Sequence, residues 1–337
     1  MSDDISTMLV DATSRLFADQ LDEQVIRRGR GGEWLGHAWA AIEEMGLPLA
    51  MVGEETGGLG IAPVNAMELI RTVGRHAVPL PIAETMVANH ALAAAGLPLA
   101  DGPAAIVPSG VRFADGRASG IARRVPWGAD VSTLVIENDG KLIRLTNGWS
   151  VEGRASNIGG MRRDTLWIDA EAQSVASIAS PSLLLAGATT RALLMSGAIF
   201  KALDLTIGYV NERTQFGRTL GKFQVVQHEL AKVAGHAASS AAAADLAGDA
   251  YAGSGDPAVA VAAARLRIAE AVGETVSICQ QMHGAIGFTR EHSLHLYTTA
   301  LLGWRDEYGG QRHWEDVLGR AALAAGPDDF WQFICAA

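Results

Sequence analysis

A chain of 337 residues, 49% apolar and 19% charged, is long enough for one large domain or two or three smaller ones around a well-buried core, and too apolar for disorder. Its net charge of −10, with basic residues scattered rather than clustered, argues against a nucleic-acid or anionic-membrane surface. Cys279 and Cys335 stand far apart without metal-ligand spacing, so two inert buried thiols in a reducing compartment are expected. Met1 to Arg15 lacks the basic-then-apolar pattern of a signal peptide, and no apolar run reads as approaching the ~20 residues of a membrane span. A cytoplasmic location is the expectation.

Residues 1–103 carry a helical pattern: Trp34, Ala38, Ala41, Ile42 and Met45 recur at spacings of three and four, and Gly46-Leu47-Pro48 stops that helix. The glycine-rich stretch Glu54 to Gly60, ahead of Pro63, fits neither GxGxxG nor GxxxxGK[ST] and reads as a turn before a helix. Residues 104–178 change to a strand period. Val131 to Glu137 and Lys141 to Thr146 flank the hairpin signal Asn138-Asp139-Gly140, and Thr165 to Ile168 reads as a further short strand. Residues 179–337 return to long helices, with Phe223, Val226, Leu230, Val233 and Ala237 on one stripe. Ala258 to His283 looks buried on most sides, after a break from Ala252 to Pro257.

The chemistry-bearing stretch is Gly197 to Val233, where a helix ends at Tyr209-Val210-Asn211-Glu212-Arg213 and a glycine turn at Gly217 leads into the next. An arginine there can present its planar fork to a pyrophosphate, or pair on the surface with Glu212 or Glu229.

The spacing of Arg213, Phe216 and Gly217, followed by Phe223, Gln224, Gln227 and His228, resembles the entry to the carboxy-terminal helical domain of acyl-CoA dehydrogenases. Gln281 to His292 is similar to that family's Q-x-x-G-G-x-G-[FY] segment. The resemblance implies a mostly α fold with a small β domain: an N-terminal helical domain, a middle β domain and a C-terminal four-helix bundle. It implies that Arg213, Gln215, Phe216 and Gln224 contact FAD, Arg213 at the pyrophosphate. Gln281 and the Gly284-Ala285 turn would reach the same cofactor from a neighbouring subunit, which makes the protein a homo- or hetero-oligomer. The implied reaction is α,β-dehydrogenation of an acyl-CoA thioester, a carboxylate taking the α-proton while the β-hydrogen leaves as hydride. Electrons would pass to an electron-transfer flavoprotein. An oxidase or flavin monooxygenase on the same scaffold is an alternative, as is a non-catalytic partner subunit that completes a shared FAD site.

Two departures from the family pattern stand out. The E-G-T segment that carries the usual base is replaced by Glu307-Tyr308-Gly309-Gly310, so an ungapped count puts Tyr308 in the base position and a one-residue shift puts Glu307 there. Glu307 is the candidate base, against a solvated charge or a structural ion pair. The alternative source, on the helix before the arginine motif, falls near Gly187, which offers no carboxylate. Secondly, the T-E-P-x-x-G-S-D and W-I-T segments that line the flavin are missing, with Val125 to Gly128 their nearest remnant. In this the chain resembles the shortened subunits of heteromeric enzymes acting on steroid side chains in bacteria.

His292 and His295 could share a helical face toward a metal, but no third ligand lies near in sequence, and packing or hydrogen bonding is the expected role. His228-Glu229 begins like the zinc-protease HExxH, with Lys232 where the second histidine belongs. Trp304, Trp314 and Trp331 are expected in core or interface positions.

Overall fold

The computed structural model describes residues 2–178 and 182–336; the expected boundary at 179 lies outside them. The first region holds α1 (Ser2–Gln20), α2 (Glu23–Arg30), α3 (Gly36–Glu44), α4 (Pro63–Arg75) and α5 (Ile82–Ala94). Asp22 caps α2 by accepting from the Val25 amide at 2.8 Å, and Glu23 at its start with Arg27, Arg28 and Arg30 in its last turn complement the helix dipole. Gly46, at φ 77°, ends the α3 segment as expected and leads into a single 3-10 turn. The glycine-rich stretch is likewise a turn: Gly57 is left-handed at φ 89°, and Pro63 opens α4 at its first position.

The middle region is β1 (Ala104–Val107), β2 (Val111–Ala114), β3 (Arg117–Pro126), β4 (Thr133–Asn138), β5 (Lys141–Leu145), β6 (Trp149–Gly153), β7 (Arg163–Glu171) and β8 (Ser174–Ser177). They form two four-stranded sheets, ordered β1-β4-β5-β8 and β2-β3-β7-β6. Ile136, Ile143 and Leu145 from the first sheet share a small core with Ala122, Leu166 and Ile168 from the second. Asn138 pairs with Lys141 across a two-residue turn whose Asp139 and Gly140 both have positive φ, the backbone that Asp-Gly favours.

The third region runs through α6 (Leu183–Glu212), the small hairpin β9 (Thr214–Gln215) and β10 (Arg218–Thr219), α7 (Gln224–Ala252), α8 (Ala258–His283), α9 (Leu294–Arg305) and α10 (Gln311–Ala336), which kinks at Gly326. Against expectation, α6 is by length and composition apolar enough to cross a membrane, but 83% of its apolar window is buried as the central helix of the fold. Cys279 is buried on α8, whereas Cys335, expected to be buried, is exposed near the end of α10.

The first region is locked to the third where α4 and α6 cross at glycines. A Cβ on Gly197 would collide with the Arg71 carbonyl oxygen and lie 2.8 Å from the Arg75 nitrogen, and one on Gly74 would strike the Leu194 backbone. Gly208, on the same helix, has open space around it. Gly197→Ala should therefore destabilise the protein by about 1–3 kcal/mol through forced separation of the helices. Gly208→Ala should be neutral or stabilising by up to about 1 kcal/mol. Chemical denaturation midpoints of the two variants check this.

Candidate active site

A cleft of about 410 Å³ opens between the two sheets' near ends and the helical bundle. Ile106, Val107, Ile121 and Leu184 give it an apolar wall, and the loop joining α9 to α10, residues 306–310, lies along it. That loop is held by buried charges from distant parts of the chain. Arg163, the first residue of β7, donates from Nε to Glu307 Oε1 at 2.6 Å and from Nη2 to Oε2 at 2.8 Å. Arg191 of α6 donates from Nε to Oε2 at 2.6 Å, and its Nη2 pairs with Glu84 of α5. Asn157 adds a bond to Oε1 at 2.7 Å. From beneath, Arg265 of α8 donates to the carbonyls of Arg305, Glu307 and Gly309 at 2.7, 2.9 and 3.1 Å.

Burial alone would raise the Glu307 pKa, but the charges of Arg163 and Arg191, with hydrogen bonds from Arg163 and Asn157, outweigh it and hold the carboxyl down at about 2. Arg265 has only carbonyl partners, and burial together with the neighbouring Arg191 lowers it to about 9. Glu307 is thus an ionised carboxylate whose two oxygens are both occupied, the geometry of a structural ion pair rather than of a base poised near neutrality.

Tyr308 follows with a left-handed backbone at φ 50°, and its ring lies 4.9 Å from the Arg191 guanidinium. The ring also presses on Gly187: a Cβ there would overlap it. The two positions from which the resemblance draws a base therefore meet in space, and both are filled without a carboxylate. The Tyr308 hydroxyl is buried and has no partner among the described residues, and burial pushes its pKa up.

On the opposite wall β3 carries a bulge. Its register on β7 slips between Ala122 and Val125, and Arg124 takes φ 59°, so the consecutive Arg123 and Arg124 both line the cleft. Val125 lines it too, but Trp127, read from the sequence as part of a flavin-lining remnant, is 1% exposed and packs edge-on against Trp34 at 5.3 Å. It plugs the join between the β region and α3 because an indole of that size is better buried there than left at the rim.

The arginine and glycine motifs occupy the far end of the bundle. Tyr209, one helical turn before Arg213, stacks on His283 at 4.3 Å and donates to its carbonyl at 3.3 Å, and His283 follows Gln281 by two residues. The arginine and glycine segments thus lie near one another within the chain, because α6 and α8 pack side by side and Tyr209 reaches His283. Arg213 is exposed and has no carboxylate partner among the described residues, neither Glu212 nor Glu229. Phe216 is 90% exposed at φ 53°, beside Gln215 on β9, and Gln224 starts α7 on the same exposed surface. Gln281 and Ala285 are exposed, and Gly284, at φ 63°, has open space where a Cβ would be. An unpaired guanidinium, an uncovered aromatic ring, an amide and an open glycine turn fit the pyrophosphate and adenosine end of a dinucleotide.

His292 packs edge-on to His283 at 4.6 Å, while His295 Nδ1 donates to the His292 carbonyl at 3.1 Å. His228 is exposed, and Glu229 pairs with Lys232 at 2.7 Å. Trp304 and Trp314 are buried, the latter donating to the Gly309 carbonyl at 2.9 Å, and Trp331 is exposed.

Sequence reasoning named Glu307 but missed Arg163, Arg191, Glu84, Asn157 and Arg265. One of them carried a signal: a lone arginine in the long apolar first half of a helix, as Arg191 is in α6, is buried only with partners. Because Glu307 titrates lower in the folded chain than its ordinary 4.5, its stabilisation is complete above that pH and is lost as pH falls toward 2. Glu307→Gln should cost about 3–5 kcal/mol at neutral pH by leaving the buried Arg163 without a carboxylate and Arg191 with Glu84 alone. Its unfolding free energy should fall less steeply than wild type's across the acid window, which denaturation at stepped pH measures.

Comparison with known proteins places these features. Residues 181–312 match the family model "Acyl-CoA dehydrogenase, C-terminal domain". The chain is 30% identical over 259 residues to acyl-CoA dehydrogenase IpdE2 of Mycobacterium tuberculosis strain H37Rv, covering 76% of each. Among solved structures, a chain of the Tcur3481–Tcur3483 steroid ACAD superposes with a TM-score of 0.86 at 24% identity, covering 97% of this chain and 100% of that one. A chain of the ChsE4–ChsE5 complex from Mycobacterium tuberculosis gives 0.80 at 20% identity, with 96% and 98% covered.

Proposed function

This chain belongs to the acyl-CoA dehydrogenase family, and from that premise we propose that it is one subunit of a hetero-oligomeric, FAD-dependent acyl-CoA dehydrogenase whose catalytic base comes from another subunit. The observation that carries the proposal is the place where Tyr308 meets Gly187. Both usual sources of a base converge there without a carboxylate, and the adjacent Glu307 is bound at both oxygens by arginines.

The reaction introduces an α,β double bond into an acyl-CoA thioester: a base removes the α-proton, the β-hydrogen departs as hydride, and the electron pair goes on to an electron-transfer flavoprotein. FAD supplies the hydride acceptor when bound. Arg213 would hold its pyrophosphate, Phe216 would cover the adenosine, and Gln215, Gln224, Gln281 and the Gly284-Ala285 turn would complete that grip. With Trp127 committed to the core, the ring-lining surface is left to a partner, as the heteromeric assemblies named among the structural neighbours support. In the cleft, the apolar wall would exclude water from an acyl group, and Arg123 and Arg124 would meet the phosphates of CoA.

A second reading keeps Glu307 as the base in a self-sufficient dehydrogenase, because it lines the cleft; Arg163 and Arg191 would then have to release it when substrate binds. Anaerobic titration with a panel of acyl-CoAs, reading flavin absorbance, separates the two. The proposal expects bleaching only in the complex with a partner subunit of the same fold, surviving Glu307→Gln in assembled protein. Turnover by the chain alone, abolished by Glu307→Gln in a folded variant, would establish the second reading instead. Arg213→Ala should lower flavin occupancy of the complex at least tenfold, a deficit of about 1.4 kcal/mol; full occupancy would remove Arg213 from the pyrophosphate site.

A further inference from the structure

A second basic cavity lies away from the cleft and from the Arg213 surface, between the end of α2, the loop at residues 158–160 and the start of α9. It measures about 370 Å³ and is lined by Arg27, Arg30, Arg290 and His295, with Gly31 and Gly160 at its edges. We infer that this cavity is a binding site for a small polyvalent anion, a pyrophosphate or the diphosphate of a nucleotide.

The charge balance is the first ground. The chain as a whole carries −10, yet three guanidinium groups line this cavity, and the carboxylate paired with them is Glu23, bound to Arg27. Neither Arg30 nor Arg290 has a carboxylate partner among the described residues. Arg30 donates from Nη1 to Thr299 Oγ1 at 3.2 Å and from Nη2 to the Leu296 carbonyl at 2.6 Å, while its Nε is buried without any acceptor. A half-buried guanidinium satisfied only by neutral oxygens, with its Nε shielded and a second arginine beside it, costs free energy that an anion would return.

Local geometry keeps the positive groups free. His295 donates from Nδ1 to the His292 carbonyl, and its Nε2 faces Arg27 Nη1 at 3.2 Å, so it is the neutral tautomer accepting from Arg27 and holding that side chain in place. Burial first, and then the positive charges of Arg27 and Arg30, lower its pKa, which keeps it in that state. A single carboxylate would engage one guanidinium; three around one cavity of this size suit a multiply charged anion with oxygens on several sides.

The inference does not rest on the flavin reading, and its test reads anion binding rather than turnover. Calorimetric titration at fixed ionic strength would use pyrophosphate and, separately, ADP, in a background carrying Arg213→Ala, Arg123→Ala and Arg124→Ala, which removes the other proposed phosphate contacts. One saturable site per chain is expected there. Arg290→Glu, an exposed substitution, should weaken it at least tenfold with the near-ultraviolet circular dichroism unchanged. Tighter binding of ADP than of pyrophosphate would assign the site to a nucleotide, and the reverse to the free anion. Absence of saturable binding, or equal affinity in Arg290→Glu, would overturn the inference. So would binding that disappears on assembly while Arg290→Glu weakens the oligomer, because the cavity would then belong to acidic side chains of a partner subunit.

Discussion

The contact on which the rest of this structure depends is the carboxylate of Glu307 held between Arg163 and Arg191. It joins a strand of the β region, the central helix of the bundle and the loop after α9, and through Arg191 it extends to Glu84 in the first helical region. Burying such charges is expensive, and a well-packed apolar cluster would stabilise the fold at least as well. The ion cluster differs from apolar packing in its geometric demand. The full set of pairs forms only when all three regions are docked in one arrangement, and removing Glu307 leaves Arg163 without a carboxylate. Arg265 extends the same control to the loop backbone, donating to three of its carbonyls, one of them shared with the Trp314 indole.

This cluster also limits the chemistry. A loop fixed by Arg163, Arg191 and Arg265 presents Tyr308 at one defined spot, on Gly187 and over the Arg191 guanidinium, where its hydroxyl is shielded and resists ionisation. The loop is therefore pinned by three arginines, and the phenol it presents over Gly187 is a poor proton acceptor. The opposite end of the bundle has the contrary character: Arg213, Phe216 and Gln281 are exposed and uncommitted, a surface prepared for something to be laid on it. One end of the chain thus offers uncommitted polar and aromatic groups, while the other holds its carboxylate in ion pairs.

Much of the fold was legible in the residues because local physics decided it. Asp139-Gly140 needed positive φ and produced a hairpin; Gly46 and Pro63 ended and began helices; the apolar stripe from Val226 to Ala237 found the bundle core. The motifs at Arg213 and Gln281 were visible for the same reason, since each is a contiguous turn. The partners of Glu307 were not visible, because Arg163 and Arg191 donate to it across 144 and 116 positions, and Glu84 joins them only through Arg191, 107 positions away. No periodicity encodes such a pairing. The burial of Trp127 was not visible for a related reason: its neighbour Trp34 comes from another region of the chain, so that burial is a property of the docked fold alone.

The most direct measurement is the ionisation of Glu307 itself, followed by carboxyl carbon-13 resonance or infrared difference spectroscopy with the Glu307→Gln protein as the assignment blank. The account predicts a carboxylate that stays ionised down to about pH 2 and takes up no proton when an acyl-CoA is added. A titration near neutrality, or protonation on adding the thioester, would show that the arginines release this group for proton transfer and would contradict the account.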